Sequence, residues 1–431
     1  MTVAKTPGRR LLVVVSGETW DGVKRSERQL AEALREHADV LWVDPPVSPA
    51  TPERYRGVSA KSGRQWRPSL VQAAEDIQRL TPVALPGLTR PGIREVTWPL
   101  VRAQLRWALR RLGRRPHAVL ACSPHDVLGR WGPSVVDVLY GTDDWVAGAE
   151  LMRLDRTRVA QEERNSLRRA DLVLAVGPEL AERWRGSGAE PVLFPNGCDP
   201  DAYLGDAGPV VLPEGFPTPV AGLSGQLSDR IDLTLLEAVA ETGIGLLLVG
   251  PRDPGWHPER VDSLLAKENV HHAGAVPFDG LVPFLARFDV GLTPYADTAF
   301  NRASFPLKTL EYLAAGKPVV SSDLPASRRL REETAEIRLA GNAEAFARAV
   351  LDAVKQAHDP AAVSARRAVA REHSWTARAA TLAGLVGLTD SKTPGSMQKS
   401  GYSHPQRVSP DARPAPAART GPGGPPSLGR S

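Results

Sequence analysis

Two series of short, wholly apolar runs alternate with stretches of helical period along this chain. The first series opens with LLVVV (11–15), an amphipathic stretch over about 24–36 and DVLWVD (39–44). It continues with AVLAC (118–122), VVDVLYG (135–141), a helical stretch over 151–169, DLVLAVG (171–177), another helix and PVLFPNG (191–197). Runs that are apolar at every position belong to strands covered on both faces, so the pattern predicts a parallel sheet between layers of helices. The segment 45–93, rich in Pro, Gly and polar residues, predicts excursion loops and one helix around 69–80.

A proline-rich stretch, GPVVLPEGFPTP (208–219), precedes the second series. Its strands are VAGLSG (220–225), GLLLVG (245–250), NVHHAG (269–274), DVGLTPY (289–295), PVVSS (318–322) and EIRLA (336–340). Helices are expected near 232–241, 278–288, 306–315 and 343–356, then at 360–371 and 375–388. The reading is an α/β chain of two doubly wound, Rossmann-like domains facing each other. They span 1–207 and 220–374, joined by the linker 208–219, with a closing helix at 375–389. Ligands of such sheets bind beyond the carboxyl ends of the strands, so the cleft between the domains is the expected site.

The formal charge of +5 changes little in this picture. Residues 390–431 carry six Lys or Arg against two Asp, net +4, which leaves near +1 for the rest. That stretch is rich in Pro, Gly, Ser and Ala without apolar period, so a disordered tail is expected and no nucleic-acid partner. Two cysteines without metal-ligand spacing, Cys122 and Cys198, fit a reducing compartment. The apolar run Leu11 to Val15 is too short for a signal peptide, and no stretch approaches the roughly 20 apolar residues of a membrane span. A cytoplasmic protein is expected.

The first strand lacks the glycine spacing of a dinucleotide site, so Asp44 after the second strand is a weak match to a ribose-binding acid. Asp143-Asp144 reads as a cap or an acceptor contact in preference to a metal site, and no metal or separate cofactor is expected.

Most of the chemistry lies in NRASFPLKTLEYLAAGKPVVSSDLP (301–325). It predicts a loop of small and polar residues, then a helix with Pro306 at its first position, where a missing N–H costs nothing. The unpaired N–H groups and positive dipole of that helix start suit a diphosphate. Lys308 adds a mobile cation, and Glu311, one turn on, can accept hydrogen bonds from vicinal ribose hydroxyls. The bland alternative is a solvated Lys308–Glu311 pair at i,i+3.

This stretch resembles the donor-binding region of retaining glycosyltransferases with the GT-B fold, the large family that includes sucrose synthases. Within it the chain is most similar to a bacterial subgroup of teichuronic-acid type. SGQLSDRIDLTLLEAV (224–239), GLLLVGP (245–251), VHHAGAVPFDGLVPFLARFDVGLTPY (270–295), ADLVLAVGPELAERW (170–184) and LFPNGCD (193–199) follow in matching order. The resemblance implies that Glu311 contacts the ribose, and that Phe305, Pro306, Leu307 and Lys308 line the donor site. Gly225 would allow close approach, Arg230 would serve as the surviving phosphate cation, and Val276 would lie against the base. Gly17, Asp143, Asp144 and His125 would stand on the acceptor side. The family's first acid falls on Ala303.

No carboxylate is evident for a double displacement. The resemblance implies front-face substitution, in which the leaving diphosphate takes the acceptor's proton. Lys308 and Arg230 would stabilise the leaving charge, and His125 would steady developing positive charge or a sugar hydroxyl, unless it is a structural histidine. The expected partners are a nucleotide-diphosphate sugar and a glycan, lipid-linked or small-molecule acceptor. The stretch 95–115 places Trp98, Val101, Leu105, Leu109 and Leu112 on one stripe, and Trp107 and Leu100 among Arg110, Arg111 and Arg114 opposite. That face reads as a solvated cationic surface or as a dock on anionic membrane. Two rivals stay open. One is a nucleotide-sugar epimerase, which needs acid/base carboxylates in the cleft; the other is a non-catalytic partner subunit, which Ala303 keeps in view.

Overall fold

The computed structural model describes residues 9–22, 24–51, 66–87, 90, 92–152, 154–204, 208–277 and 280–388. The expected tail, 390–431, and part of the 45–93 excursion lie outside these residues.

Eight strands form the first sheet: β1 (Leu11–Val15), β2 (Asp39–Val43), β3 (Ser69–Ala74), β4 (Ile77–Thr81), β5 (Pro116–Ala121), β6 (Val136–Gly141), β7 (Leu172–Ala175) and β8 (Val192–Leu193). Their order is β3-β4-β2-β1-β5-β6-β7-β8. All neighbours run parallel except β3 and β4. The helices of this half are α1 (Ser26–Ala33), α2 (Ile93–Leu112), α3 (Arg156–Leu167) and α4 (Pro178–Arg185). Every residue of β1 is buried, as its unbroken apolar sequence requires.

The helix expected over 69–80 is instead the β3–β4 hairpin. Asp76 turns the chain at φ 58, and β4 pairs with β2 from Val40↔Ile77 to Val43↔Leu80. Leu70, Ala74 and Ile77 fit helical spacing as well as a hairpin. The open edge of β2, whose backbone groups need a ladder partner, decides between them. Asp44 is wholly structural. It accepts from Trp20 N (2.9 Å), Trp42 Nε1 (2.8 Å), Arg79 Nε (2.6 Å) and Thr81 Oγ1 (2.6 Å).

The second sheet holds β9 (Val220–Ser224), β10 (Gly245–Val249), β11 (Val270–His272), β12 (Val290–Thr293), β13 (Val319–Ser322) and β14 (Ile337–Ala340). It is parallel throughout, in the order β11-β10-β9-β12-β13-β14. Around it run α5 (Leu233–Ala240), α6 (Pro258–Leu265), α7 (Leu281–Arg287), α8 (Ala299–Ala303), α9 (Leu307–Ala314), α10 (Pro325–Glu333), α11 (Ala343–Val354), α12 (Pro360–Glu372) and α13 (Trp375–Leu385). The sequence reading lacked α6 and α10. Each is short and polar and buries only two or three side chains, so its period is faint. The Pro at the start of both was the available signal.

The chain passes between the halves twice, side by side. Cys198 N donates to His373 O, and Trp375 N donates to Cys198 O, both at 2.9 Å. A Cβ on Gly197 would stand 2.9 Å from His373 O, so only glycine fits this crossing. After it, α13 packs on α1, and Arg10 donates to Gly387 O at 2.8 Å. On α2, Val101, Leu105 and Leu109 are buried, as the stripe predicts. Trp107 is half-buried against the core instead of standing among arginines in solvent, and Arg114 is tied to Asp39 at 2.7 Å. Arg110 and Arg111 remain exposed. Among the described residues no helix is long and apolar enough to cross a membrane.

Candidate functional site

A parallel sheet opens a crevice where its strand order reverses. In the second sheet that point lies between β9 and β12, and in the first between β1 and β5. Residues from both crevices line one cleft.

Glycines follow three adjacent strands of the second sheet: Gly225 after β9 (φ +139), Gly250 after β10 (φ +139) and Gly274 after β11 (φ +75). A Cβ on Gly250 would sit 1.9 Å from the carbonyl oxygen of Gly225, so these two turns pack backbone on backbone. Gly225 was anticipated. Gly250 was missed, because its role depends on a neighbour 25 residues away.

Across from Gly225 stands the start of α9. Pro306 is the N-cap of this helix (φ −78, ψ 79) and not its first turn, and among the described residues no side chain caps the end. The loop expected before it is the short helix α8, capped by Thr298 Oγ1, which accepts from Asn301 N. Lys308 Cε lies 3.8 Å from where a Gly225 Cβ would be, so the helix start and the β9 turn face each other. Lys308 Nζ donates to Glu311 Oε2 at 2.7 Å. Phe305 and Pro306 are buried and Leu307 is half-buried. Val276, in the turn after β11, packs half-buried against the core.

Arg230 closes the other side of this crevice. Its Nε donates to Asn301 Oδ1 (3.1 Å), and its guanidinium lies 4.8 Å from the Phe300 ring centre and 5.4 Å from that of Tyr295. Asn301 returns a bond from Nδ2 to Arg230 O at 2.9 Å. The buried Asn301 therefore sets the position of Arg230, which no sequence pattern indicated.

In the first half, Gly17 N donates to Glu27 Oε2 at 3.0 Å, and Ser16 Oγ donates to the same oxygen. Burial pushes Glu27 up to about 8, with like charge from Glu18 and Asp143 adding to the effect and the two hydrogen bonds opposing it. Burial also raises Glu18, against the pull of Arg25. Glu18, Glu27 and Asp143 thus form a carboxylate group in the cleft. Sequence reasoning missed the first two, which no motif marks.

The neighbours Asp143 and Asp144 have different surroundings. Asp144 accepts from Val146 N, Ala147 N and Arg183, so it caps a turn and anchors an arginine. Asp143 receives one shared hydrogen bond, from Ser304 of the second half, at 3.2 Å. His125 stacks on Trp98 at 4.2 Å, with Glu162 3.9 Å away. Burial, reinforced by Arg94, lowers it to about 4. At neutral pH it is therefore an uncharged ring that can bond a hydroxyl, not a cation. Its contacts lie with α2 and α3, apart from those of Lys308 and Arg230.

Solved structures define the class of this fold. A sucrose-phosphate synthase from Thermosynechococcus elongatus superposes with a TM-score of 0.63 at 19% identity, covering 88% of this chain and 98% of that one. Anabaena HepE in complex with UDP-glucose gives 0.57 at 14% identity, covering 88% and 99%. The E. coli trehalose-6-phosphate protein bound with UDP-2-fluoro glucose gives 0.60 at 14%, covering 87% and 98%. The fold is GT-B: two Rossmann-like domains about a cleft.

Sequence comparison adds to this. Residues 230–384 match the family model described as Glycosyl transferase-like. Over 159 residues, 36% of this chain, the sequence is 29% identical to TuaH of Bacillus subtilis, a glycosyltransferase named for teichuronic acid biosynthesis. The matched stretch spans 40% of the length of TuaH.

Proposed function

We propose that this protein transfers a sugar from a nucleotide-diphosphate sugar to a glycan, lipid-linked or small-molecule acceptor, with retention and without a metal ion. The uncapped start of α9, facing Gly225 at the strand-order reversal and carrying Lys308 and Glu311, is the observation that carries this reading. The start of α9, Lys308 and Glu311 lie within the stretch that matches the glycosyltransferase-like family, and Gly225 lies just before it. Structural neighbours hold UDP-glucose and UDP-2-fluoro glucose.

In this reading the diphosphate meets the α9 N–H groups and draws Lys308 toward it. Ribose hydroxyls then take the ammonium's place at Glu311. The bond from the sugar's anomeric carbon to the phosphate oxygen breaks as the acceptor oxygen bonds that carbon on the same face. The acceptor's proton passes to the departing diphosphate. Lys308, Arg230 and the helix dipole hold the charge that develops there, which is electrostatic stabilisation by groups already in position. His125, neutral, bonds a hydroxyl. Cell-surface polysaccharide, glycolipid or natural-product glycosylation is the proposed setting, on the cytoplasmic side. Arg110 and Arg111, with the exposed Leu100 and Val96, would give α2 a contact with anionic lipid. Vesicle co-sedimentation that does not respond to anionic lipid would remove that contact.

The deciding experiment is thermal stability with UDP, GDP, TDP, ADP and CMP and their sugars, with and without EDTA. A ligand at 100 times its dissociation constant adds roughly 2.7 kcal/mol to the folded state. Stabilisation by one nucleotide, unaffected by EDTA and lost in Glu311→Ala, is expected. Silence toward all of them would favour the non-catalytic partner subunit.

A further inference from the structure

We propose that Asp143, from the first domain, binds hydroxyl groups of the donor's sugar ring and so helps to set which sugar is accepted. This rests on the glycosyltransferase reading above.

The second-domain segment that leads into α9 is seated in the first domain, beside Asp143. A Cβ on Gly148 would stand 2.7 Å from the Phe300 ring, and one on Gly177 would stand 3.0 Å from the carbonyl oxygen of Ala303. Neither first-domain glycine has room for a side chain. Ala303 is itself 3% exposed, so this end of α8 is enclosed and offers no carboxylate to the cleft.

Asp143 fills that place from the opposite wall. Ser304 Oγ reaches Phe300 O at 2.9 Å and Asp143 Oδ1 at 3.2 Å. A hydroxyl has one proton, and the shorter contact is with its own helix, so Asp143 gets the weaker share. No other hydrogen bond to its carboxylate is formed among the described residues. Asp144, one residue on, is fully engaged, so the open valence belongs to position 143 alone of the pair. Burial raises Asp143, and Arg230, the shared Ser304 bond and Arg25 oppose that rise, the two arginines without a hydrogen bond to the carboxylate. A half-buried carboxylate short of protein donors is matched by a ligand rich in hydroxyls. Arg230, beside it and stacked on Phe300, is a cation for the adjoining phosphate. A cation next to an underserved carboxylate has the polarity of a sugar phosphate.

Calorimetry on the full chain tests this with UDP, GDP, TDP and ADP, each as the free diphosphate and as its glucose conjugate. In Asp143→Ala the glucose conjugate should weaken about ten- to hundredfold, while the free diphosphate stays within about twofold, a range set by one to two charged hydrogen bonds. Ser304→Ala, which keeps the carboxylate and removes only its shared bond, should bind the conjugate like wild type. Equal weakening of both ligands in Asp143→Ala overturns the proposal in favour of a structural role. Loss of conjugate binding in Ser304→Ala does the same in favour of the interdomain contact. Unchanged conjugate affinity with a raised acceptor KM would place Asp143 on the acceptor. Wild-type protein that binds none of the eight ligands defeats the glycosyltransferase reading itself.

Discussion

Lys308 and Glu311 stand one turn apart on α9 with Nζ 2.7 Å from Oε2, yet the Glu311 side chain is 3% exposed and the Lys308 side chain 22%. The pair is therefore no solvated helix-surface bridge. Its acid is enclosed beneath the open helix start, and its cation reaches the cleft. Glu311→Ala should cost roughly 1–3 kcal/mol of stability, because it strands a half-buried ammonium, and should abolish nucleotide stabilisation. Glu311→Gln keeps an acceptor and should retain most of the fold's stability with weakened nucleotide binding. Melting curves with and without nucleotide distinguish the two effects. Undiminished nucleotide stabilisation in both variants would remove Glu311 from the site.

Gly250 and Gly225 share a φ of +139 but differ in what surrounds them. Gly250→Ala would drive a methyl to 1.9 Å from a carbonyl oxygen, and should cost more than about 3 kcal/mol or prevent folding. Gly225→Ala has 3.8 Å of clearance, so backbone strain of about 1–3 kcal/mol is the expected loss. Urea unfolding midpoints should rank them in that order. Equal losses would mean that the turns do not pack as described.

Glu27 gives stability a slope with pH. Its folded value, about 8, lies above the ordinary 4.5, so between these values the folded chain holds a proton that the unfolded chain has released. This contribution is complete below pH 4.5, declines as pH rises and is gone above 8. Glu27→Gln keeps an acceptor for Gly17 and Ser16 and carries no charge. It should flatten the decline and exceed wild type by roughly 5 kcal/mol at pH 9. Denaturation at pH 5, 7 and 9 measures this, and parallel profiles for the two proteins would refute it.

Arg366, wholly buried, holds α12 against the end of α9 and the turn before β14. Its guanidinium donates to Glu336 (2.6 Å), Gly316 O (3.0 Å), Ala357 O (2.8 Å) and Gln356 O (2.9 Å). Arg366→Ala strands an acid and three carbonyls and should cost about 3–5 kcal/mol. Lysine cannot reproduce the planar fork, so Arg366→Lys should recover little. A lysine variant with wild-type melting would show that charge alone suffices.

The candidate residues around the start of α9 were legible because their chemistry is local. A helix start, its lysine and its acid fall within six residues, and wholly apolar strands announce a parallel sheet whatever surrounds them. Gly250, Asn301 and Glu27 were not legible. Each acts on a partner far along the chain, Gly225, Arg230 and Gly17 respectively, or through burial that no residue pattern displays. The β3–β4 hairpin was misread because its apolar spacing suits either element, and pairing to β2 chose between them. His125 was identified as a residue, but its charge state came from the burial and arginine around it.

The sequence by itself determined the two α/β halves, the order of their strands along the chain and the helix that carries Lys308 and Glu311 at its open start. These follow from apolar periodicity and helix-end chemistry, both written in contiguous residues. The tertiary structure alone decided which strands became neighbours, where the two reversals of strand order fell and which side chains met across the cleft. The contrast between Asp143 and Asp144 shows the reason. Two identical adjacent residues have the same local code, but one is enclosed by a turn and Arg183 while the other faces Ser304 of the opposite domain. Only packing of distant segments supplies or withholds the hydrogen-bond donors that separate a structural carboxylate from one left open to a ligand.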